Sequence, residues 1–387
     1  MHIYITTQGS RIVREGRHLL VKKGEDTYRT LFVDKLQQVV LFGNIELTPP
    51  ACSLLLRHGV DTVFCTRDGR YRGRFAVPES KNVMLRKRQF CLLDDRDFGL
   101  RLCREIVRGK LANMITLLMR IRRTRDRSEP KVAARDIRSL FTGIAAADSI
   151  DSLRGYEGRG SALYFGALRW GLLQDHGFTR RVRRPPTDPV NAVLSLLYTF
   201  LFNRVYAAIR QANLDPYPAF LHVPDYGRHS LVMDLMEEFR VIIVDTLVLS
   251  LFNLKILKQE DFRIEHPSPP PSFVSPPGPV PDVTADPYGH MTNLDSAGQF
   301  DVPSQRMGEE NPDNHDMENT GGKPAIKLQK EAFRRVVENF ERKLTTEFHY
   351  PPEDRVITYA EALVAQAGMY RKVIEGSLLV YQPLQMK

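Results

Sequence analysis

The chain has 387 residues, 42% of them hydrophobic, with 4 cysteines and a formal charge of +9 from 55 basic against 46 acidic side chains. That length suits two or three domains, the apolar content excludes a wholly disordered or fibrous chain, and the positive balance favours a polyanionic partner. Cys52, Cys65, Cys91 and Cys103 form no CxxC pair and are too few for a disulfide framework, so they read as free thiols in a reducing cytoplasm.

The opening MHIYITTQGS has neither a cationic n-region nor an apolar h-region, so no export is expected. Residues 1–80 read as short strands: HIYIT, RIVRE, HLLVK, LFVDK, QVVLF, VDTVFCT and RYRGRFAV, punctuated by Gly9, Gly16, Gly24, Gly43 and the RDG turn at 67–69. Among them LTPPACSLLLRHGV predicts one helix, with Thr48 as N-cap, proline in the first turn and Gly59 as the stop. From about residue 81 the apolar period becomes helical, first in RQFCLLDDRDFGLRLCREIVRGKLANMITLLMRIRR and then over 150–171 and 189–212. The fold class is therefore α+β: a β-rich, β-sandwich-like domain (1–80) followed by a larger all-α domain (81–265). The oily run VIIVDTLVLSLF at 241–252 is short and carries Asp245, so no membrane span is expected. Residues 266–324 hold 12 of the 25 prolines and no apolar period, which predicts a disordered insertion. Helical patterning returns at 326–347 and 358–375, so the segment 325–387 is expected to dock back on the helical domain.

Two segments carry acids in apolar company. Glu157, in LRGYEGRGSALYFGALRW, precedes a helical run with Leu163, Tyr164, Phe165 and Leu168. It reads either as a first-turn glutamate favoured by the helix dipole or as a ligand. In FLHVPDYGRHSLVMDLMEEFR, Leu231, Leu235, Phe239 and Ile242 recur at helical spacing and predict an amphipathic helix from Ser230. Asp234 then shares a face with Glu237 and Glu238; wet, that face is harmless and capped by Arg240, but half-buried it needs a cation. His222, in the loop before this helix, can fold toward Glu237, although a histidine beside Phe220 and Leu221 is as readily structural. His229, in GRHS, reads as an exposed turn and ranks below it. One Glu, one His and one or two acids from separate helices suit Mg²⁺ or Mn²⁺.

Positive charge gathers at Arg122, Arg123, Arg125 and Arg127, and again at Arg180, Arg181, Arg183 and Arg184. Arg70, Arg72 and Arg74 alternate along a strand and are expected to line one sheet face. Guanidinium forks suit phosphate oxygens, so these are candidate phosphate contacts, against a competing reading as solvated loop charge. No Walker loop, GxSxG elbow, zinc finger or paired CxxC is present, which argues against nucleotide hydrolysis and against a protein nucleophile.

The ordered set LRGYEGRGSALYF, RRVRRPPTDPVNAVLSLLYTFL, LDPYPAFLH and GRHSLVMDLMEEFR resembles the CRISPR-associated Cas1 family, the integrases of spacer acquisition. Val241 stands where a proline often follows the EEFR motif, and Asn113-Met114 where Asn-Gln is common. Carried over position by position, the resemblance implies metal ligation by Glu157, His222 and Glu237, with Asp234 a further acid near the metal and Glu238 left to a structural or salt-bridging role. It also implies a cytoplasmic, Mg²⁺- or Mn²⁺-dependent endonuclease and strand transferase. Such an enzyme joins the 3′-hydroxyls of prespacer DNA to a CRISPR repeat, as a homodimer assembled with a Cas2 dimer on double-stranded DNA and no membrane. The alternatives are a related transposon-type integrase and a non-catalytic DNA-binding scaffold. The proline-rich insertion is expected to be dispensable for catalysis.

Overall fold

The computed structural model describes residues 2–75, 82–125, 127–182, 185–265 and 324–386. The proline-rich stretch, over 266–323, and Arg183 and Arg184 lie outside the described residues.

Two four-stranded sheets build the amino-terminal part. One runs β1 (His2–Ile5), β5 (Gln38–Phe42), β7 (Asp61–Cys65), β8 (Tyr71–Phe75); the other runs β4 (Asp26–Phe32), β3 (His18–Lys23), β2 (Arg11–Glu15), β6 (Glu46–Leu47). β1, β5 and β7 pair in parallel, and helix α1 (Pro49–Arg57) provides the crossover a parallel pair requires between β5 and β7. Thr48 precedes α1 in extended conformation and Gly59 follows it at φ 65°, as the capping pattern predicts. Strand β5 is buried on both faces. Val39 and Leu41 join Ile3, Ile12, Leu19, Leu31 and Leu55 in a core between the sheets and α1, while Val40 and Phe42 point the other way into the helical core. The LFVDK segment departs from expectation: β4 starts at Asp26 and ends at Phe32, and Val33–Lys35 coils into a 3₁₀ turn that buries Val33.

The helical part comprises α2 (Val83–Cys91), α3 (Arg96–Arg125), α4 (Glu129–Ala146), α5 (Ile150–Leu168), α6 (Pro189–Gln211), α7 (Ser230–Phe239), α8 (Thr246–Asn253), α9 (Lys330–Leu344) and α10 (Tyr359–Glu375). α6 forms its axis. It is long and apolar enough to cross a membrane by composition, yet 83% of that stretch is buried inside the protein. Asp188 caps α6 by accepting from Asn191 N, and Ser149 caps α5 by accepting from Ser152 N. Two ribbons interrupt the all-α expectation. β9 (Phe262–Glu265) pairs with β10 (Ala325–Leu328), and β11 (Glu347–Tyr350) pairs with β12 (Arg355–Thr358). The helix expected over 326–347 therefore shrinks to Lys330–Leu344, because the residues before it pair with distant β9 and those after it with nearby β12. The interface between the two parts is aromatic: Phe42 of β5 packs edge-on against Phe200 of α6 and Phe333 of α9.

Candidate active site

α7 is buried on every side, so the amphipathic expectation fails and Asp234, Glu237 and Glu238 are no solvated face. Each acid has its own solution to burial. Asp234 accepts backbone N–H groups at both oxygens, from Phe220 and Leu221 at Oδ2 (3.0 Å each) and from His222 at Oδ1 (2.9 Å). The same Oδ1 lies 2.7 Å from His222 Nδ1. Asp234 thereby shapes the loop and turns the imidazole so that Nε2 faces Glu237 Oε1 at 3.8 Å. Both of its oxygens are engaged by the loop and the ring, an arrangement that orients His222.

Glu238 points away from this group. Its carboxylate accepts from Tyr381 OH (2.6 Å), Gln366 Nε2 (2.7 Å) and Leu384 N, anchoring the carboxy-terminal tail. Burial pushes its carboxyl up to about 7, against the pull of those three donors. Its role is structural rather than salt-bridging.

Glu237 faces Glu157, and Lys110 stands between them. Glu157 is the eighth residue of α5, in its third turn, so the first-turn reading fails. α5 approaches α3 closely because Gly160 has no side chain; a Cβ there would meet Leu111 Cδ2 at 2.4 Å. This brings Glu157 Oε1 onto the Lys110 ammonium, which also lies 2.5 Å from Glu237 Oε2. Ser161 Oγ donates to Glu157 Oε1 at 2.9 Å, and Arg240 Nε donates to Glu237 Oε1 at 3.2 Å. Burial would raise the Glu237 carboxyl, but Arg240, then Lys110 and His222, overrule it and hold it at about 2. Burial likewise works against ionised Glu157, and Lys110 keeps its carboxyl below the ordinary value. Lys110 itself is raised by the two carboxylates despite its burial.

Side-chain exposure is 25% for Glu157 and 23% for His222, against 3% for Glu237 and 7% for Lys110. The first two form a mouth open to a substrate, and the second two form its floor. Among the described residues no three His, Cys, Asp or Glu side chains are drawn together as a ready-made metal cluster. The ammonium fills the gap between the acids. Glu237 Oε2 is buried and faces the Lys110 ammonium at 2.5 Å. Two carboxylates converging on one cation and an imidazole beside them form a donor set that fits Mg²⁺ or Mn²⁺.

The site has supports that the sequence reading missed. Arg154 Nε donates to Leu221 O at 2.5 Å, tying the His222 loop to the helix of Glu157. Asn113 Nδ2 donates to Glu238 O (3.0 Å) and Leu384 O (2.9 Å), joining α3, α7 and the tail. Lys110 had a legible signal: Cys103, Val107, Lys110, Met114, Leu117 and Ile121 follow the apolar period of α3, so a lysine sits on a buried face. His229, expected in an exposed turn, is buried among Tyr206, Tyr217 and Phe202. Burial, with Arg74 and Arg210, lowers it to about 4.

The candidate DNA-binding arginines divide. Arg70, Arg72 and Arg180 are exposed, as are Arg122, Arg123 and Arg127. Arg74 does not line an open sheet face: it donates to Asn203 Oδ1 at 2.7 Å, stacks 3.5 Å from the Tyr206 ring and pairs with Asp61 at 3.5 Å. Arg181 lies along α6, donating to Asn191 Oδ1 and Ser195 Oγ, each at 3.0 Å.

The family described as CRISPR associated protein Cas1 matches residues 3–268. A relative named CRISPR-associated endonuclease Cas1 1, from Thermus thermophilus, is 39% identical over 259 residues, 66% of this chain and 77% of the relative. Among solved structures, a Cas6-RT-Cas1–Cas2 complex superposes on the whole chain and 36% of its own, with a TM-score of 0.75 at 22% identity. A casposase bound to integration product covers the whole chain and 94% of its own, with a TM-score of 0.75 at 16% identity. At those identities the two structures establish a shared fold.

Proposed function

This chain belongs to the CRISPR-associated Cas1 family, and from that premise we propose that it is a metal-dependent DNA endonuclease and strand transferase of CRISPR adaptation. Its reaction would join the 3′-hydroxyl ends of a prespacer duplex to the repeat array by transesterification. The observation that carries this reading is the convergence of Glu157 Oε1 and Glu237 Oε2 on one cationic position, with His222 Nε2 beside them. Those three side chains would hold Mg²⁺ or Mn²⁺, which when bound supplies Lewis-acid stabilisation of a phosphate and a lowered pKa for the attacking hydroxyl. Asp234 keeps the imidazole aimed at Glu237, Arg240 keeps Glu237 ionised, and the part-open mouth of Glu157 and His222 admits a backbone phosphate. Arg70, Arg72 and Arg180, which are exposed, would take other phosphates. Its partners would be double-stranded DNA and a Cas2 dimer, with two copies of this chain acting together; among the solved neighbours a complex containing Cas1 and Cas2 and a casposase bound to integration product support Cas2 and DNA.

Against a DNA-binding scaffold, the convergence of Glu157 and Glu237 on one cationic position beneath a part-open mouth favours the catalytic reading. The test is reconstitution. Purified protein is mixed with a short duplex bearing free 3′-hydroxyls, a supercoiled plasmid carrying a repeat, and manganese, alongside Glu157→Ala and His222→Ala. The expected result is joining by the wild type and its loss in both variants. No joining, or equal joining by the variants, removes the proposal.

A further inference from the structure

The geometry points to Lys110 as a built-in counter-ion that holds the place of the divalent cation between Glu157 and Glu237 and must withdraw before that cation enters. This rests on the metal-site reading above. The lysine stem lies along the buried face of α3, and only its head reaches polar groups. That head pairs with Glu157 Oε1 and with Glu237 Oε2 at 2.5 Å.

The charges explain why it must move. The Glu157 and Glu237 carboxylates already face two cations, Lys110 and Arg240, while the Asp234 carboxylate is turned to His222. A dication added between the carboxylates would meet the ammonium at contact distance, inside a buried site where screening is weak. One positive charge has to leave. Arg240 is held by Glu237 Oε1 at 3.2 Å and over the Tyr198 ring at 4.8 Å. The ammonium of Lys110 occupies the space between the acids itself and ends a flexible stem. Lys110 thus keeps two buried carboxylates ionised and close together without metal, and competes with the metal for them.

The experiment uses the full-length protein without DNA and Mn²⁺ alone as the probe. Electron paramagnetic resonance titration of free Mn²⁺ compares the wild type with Lys110→Met, which keeps the stem and removes the charge. The expected outcome is binding at least tenfold tighter in the variant. In parallel, wild-type protein is reductively methylated with and without saturating Mn²⁺, and the Lys110 peptide is read by mass spectrometry, so the test stands even where the variant does not fold. Lys110 should be protected without Mn²⁺ and modified with it. Equal affinity in the two proteins, or a Lys110 that stays protected at saturation, overturns the proposal and leaves the metal site intact. Absence of Mn²⁺ binding in both proteins removes the metal site and the proposal together.

Discussion

The Nδ1 of His222 lies 2.7 Å from Oδ1 of Asp234, a carboxylate that also receives three consecutive backbone N–H groups from Phe220, Leu221 and His222. One side chain thus fixes both the path of the loop and the orientation of the ring it carries.

Asp234→Asn should therefore impair the reaction without removing a ligand. An amide nitrogen cannot accept the N–H groups that the carboxylate accepts, and the imidazole loses the partner that sets its tautomer. Loss of such an outer partner costs roughly 10–100-fold in metal affinity or activity. Rates of strand transfer and the Mn²⁺ dependence of the rate would show it; an unchanged rate would remove the positioning role.

The arginines should separate into structural and DNA-contacting sets. Arg74 is 6% exposed and neutralises Asp61, so Arg74→Ala leaves a part-buried charge unpaired and should cost about 3 kcal/mol or more in stability. Arg72→Ala and Arg180→Ala should leave the melting temperature alone. Each would instead reduce the slope of log affinity against log salt by about 0.9, the contribution of one phosphate contact. Melting curves and duplex binding at several salt concentrations check both arms, and a salt slope unchanged in Arg180→Ala argues that it touches no phosphate.

Asp245 predicts a pH dependence of stability. It is buried, and Tyr164 OH and Tyr198 OH donate to it at 2.7 and 2.6 Å. Burial, opposed by those two donors, raises its carboxyl from the ordinary 3.8 to about 6. The folded protein then binds the proton more tightly than the unfolded chain, so stability from this group falls as pH rises from about 3.8 to about 6 and is constant above. The magnitude is about 3 kcal/mol at most. Asp245→Asn should flatten urea-denaturation stability across that window, and an equally steep fall in the variant would assign it elsewhere.

Gly109→Ala should loosen the carboxy-terminal tail. A Cβ at 109 would meet Cβ and Cγ of Pro383 at 2.4 Å, and a pyrrolidine ring cannot swing aside as a flexible chain end can. Overpacking of this kind costs about 1–3 kcal/mol, partly offset by the better helix propensity of alanine. The tail should become sensitive to protease, because Tyr381 and Leu384 leave Glu238. Unaltered cleavage would show that the ring finds room.

Much of the fold was legible because burial imposes periods on a sequence. The strands β1, β2, β3, β5, β7 and β8, α1 with its Thr48 entry and Gly59 stop, and the helices α3, α5, α6 and α10 follow from period and capping alone. The misses share a cause. β10 takes its conformation from β9, distant in sequence, and α7 is buried all round because α3, α6 and the tail enclose it. Local apolar spacing carries no information about either.

At the site, the resemblance selected Glu157, His222 and Glu237, and the residue types alone made them candidates. The division of labour among the three neighbouring acids of α7 was not readable. Asp234, Glu237 and Glu238 are close in sequence and chemically alike, yet one orients a ring, one faces a cation and one anchors the tail. Sequence by itself determined which residues could bear charge and which had to be buried, since those follow from side-chain chemistry and period. Only the tertiary structure decided where each carboxylate points, and that Lys110 stands between two of them, because direction depends on what three helices and a returning tail bring to one place.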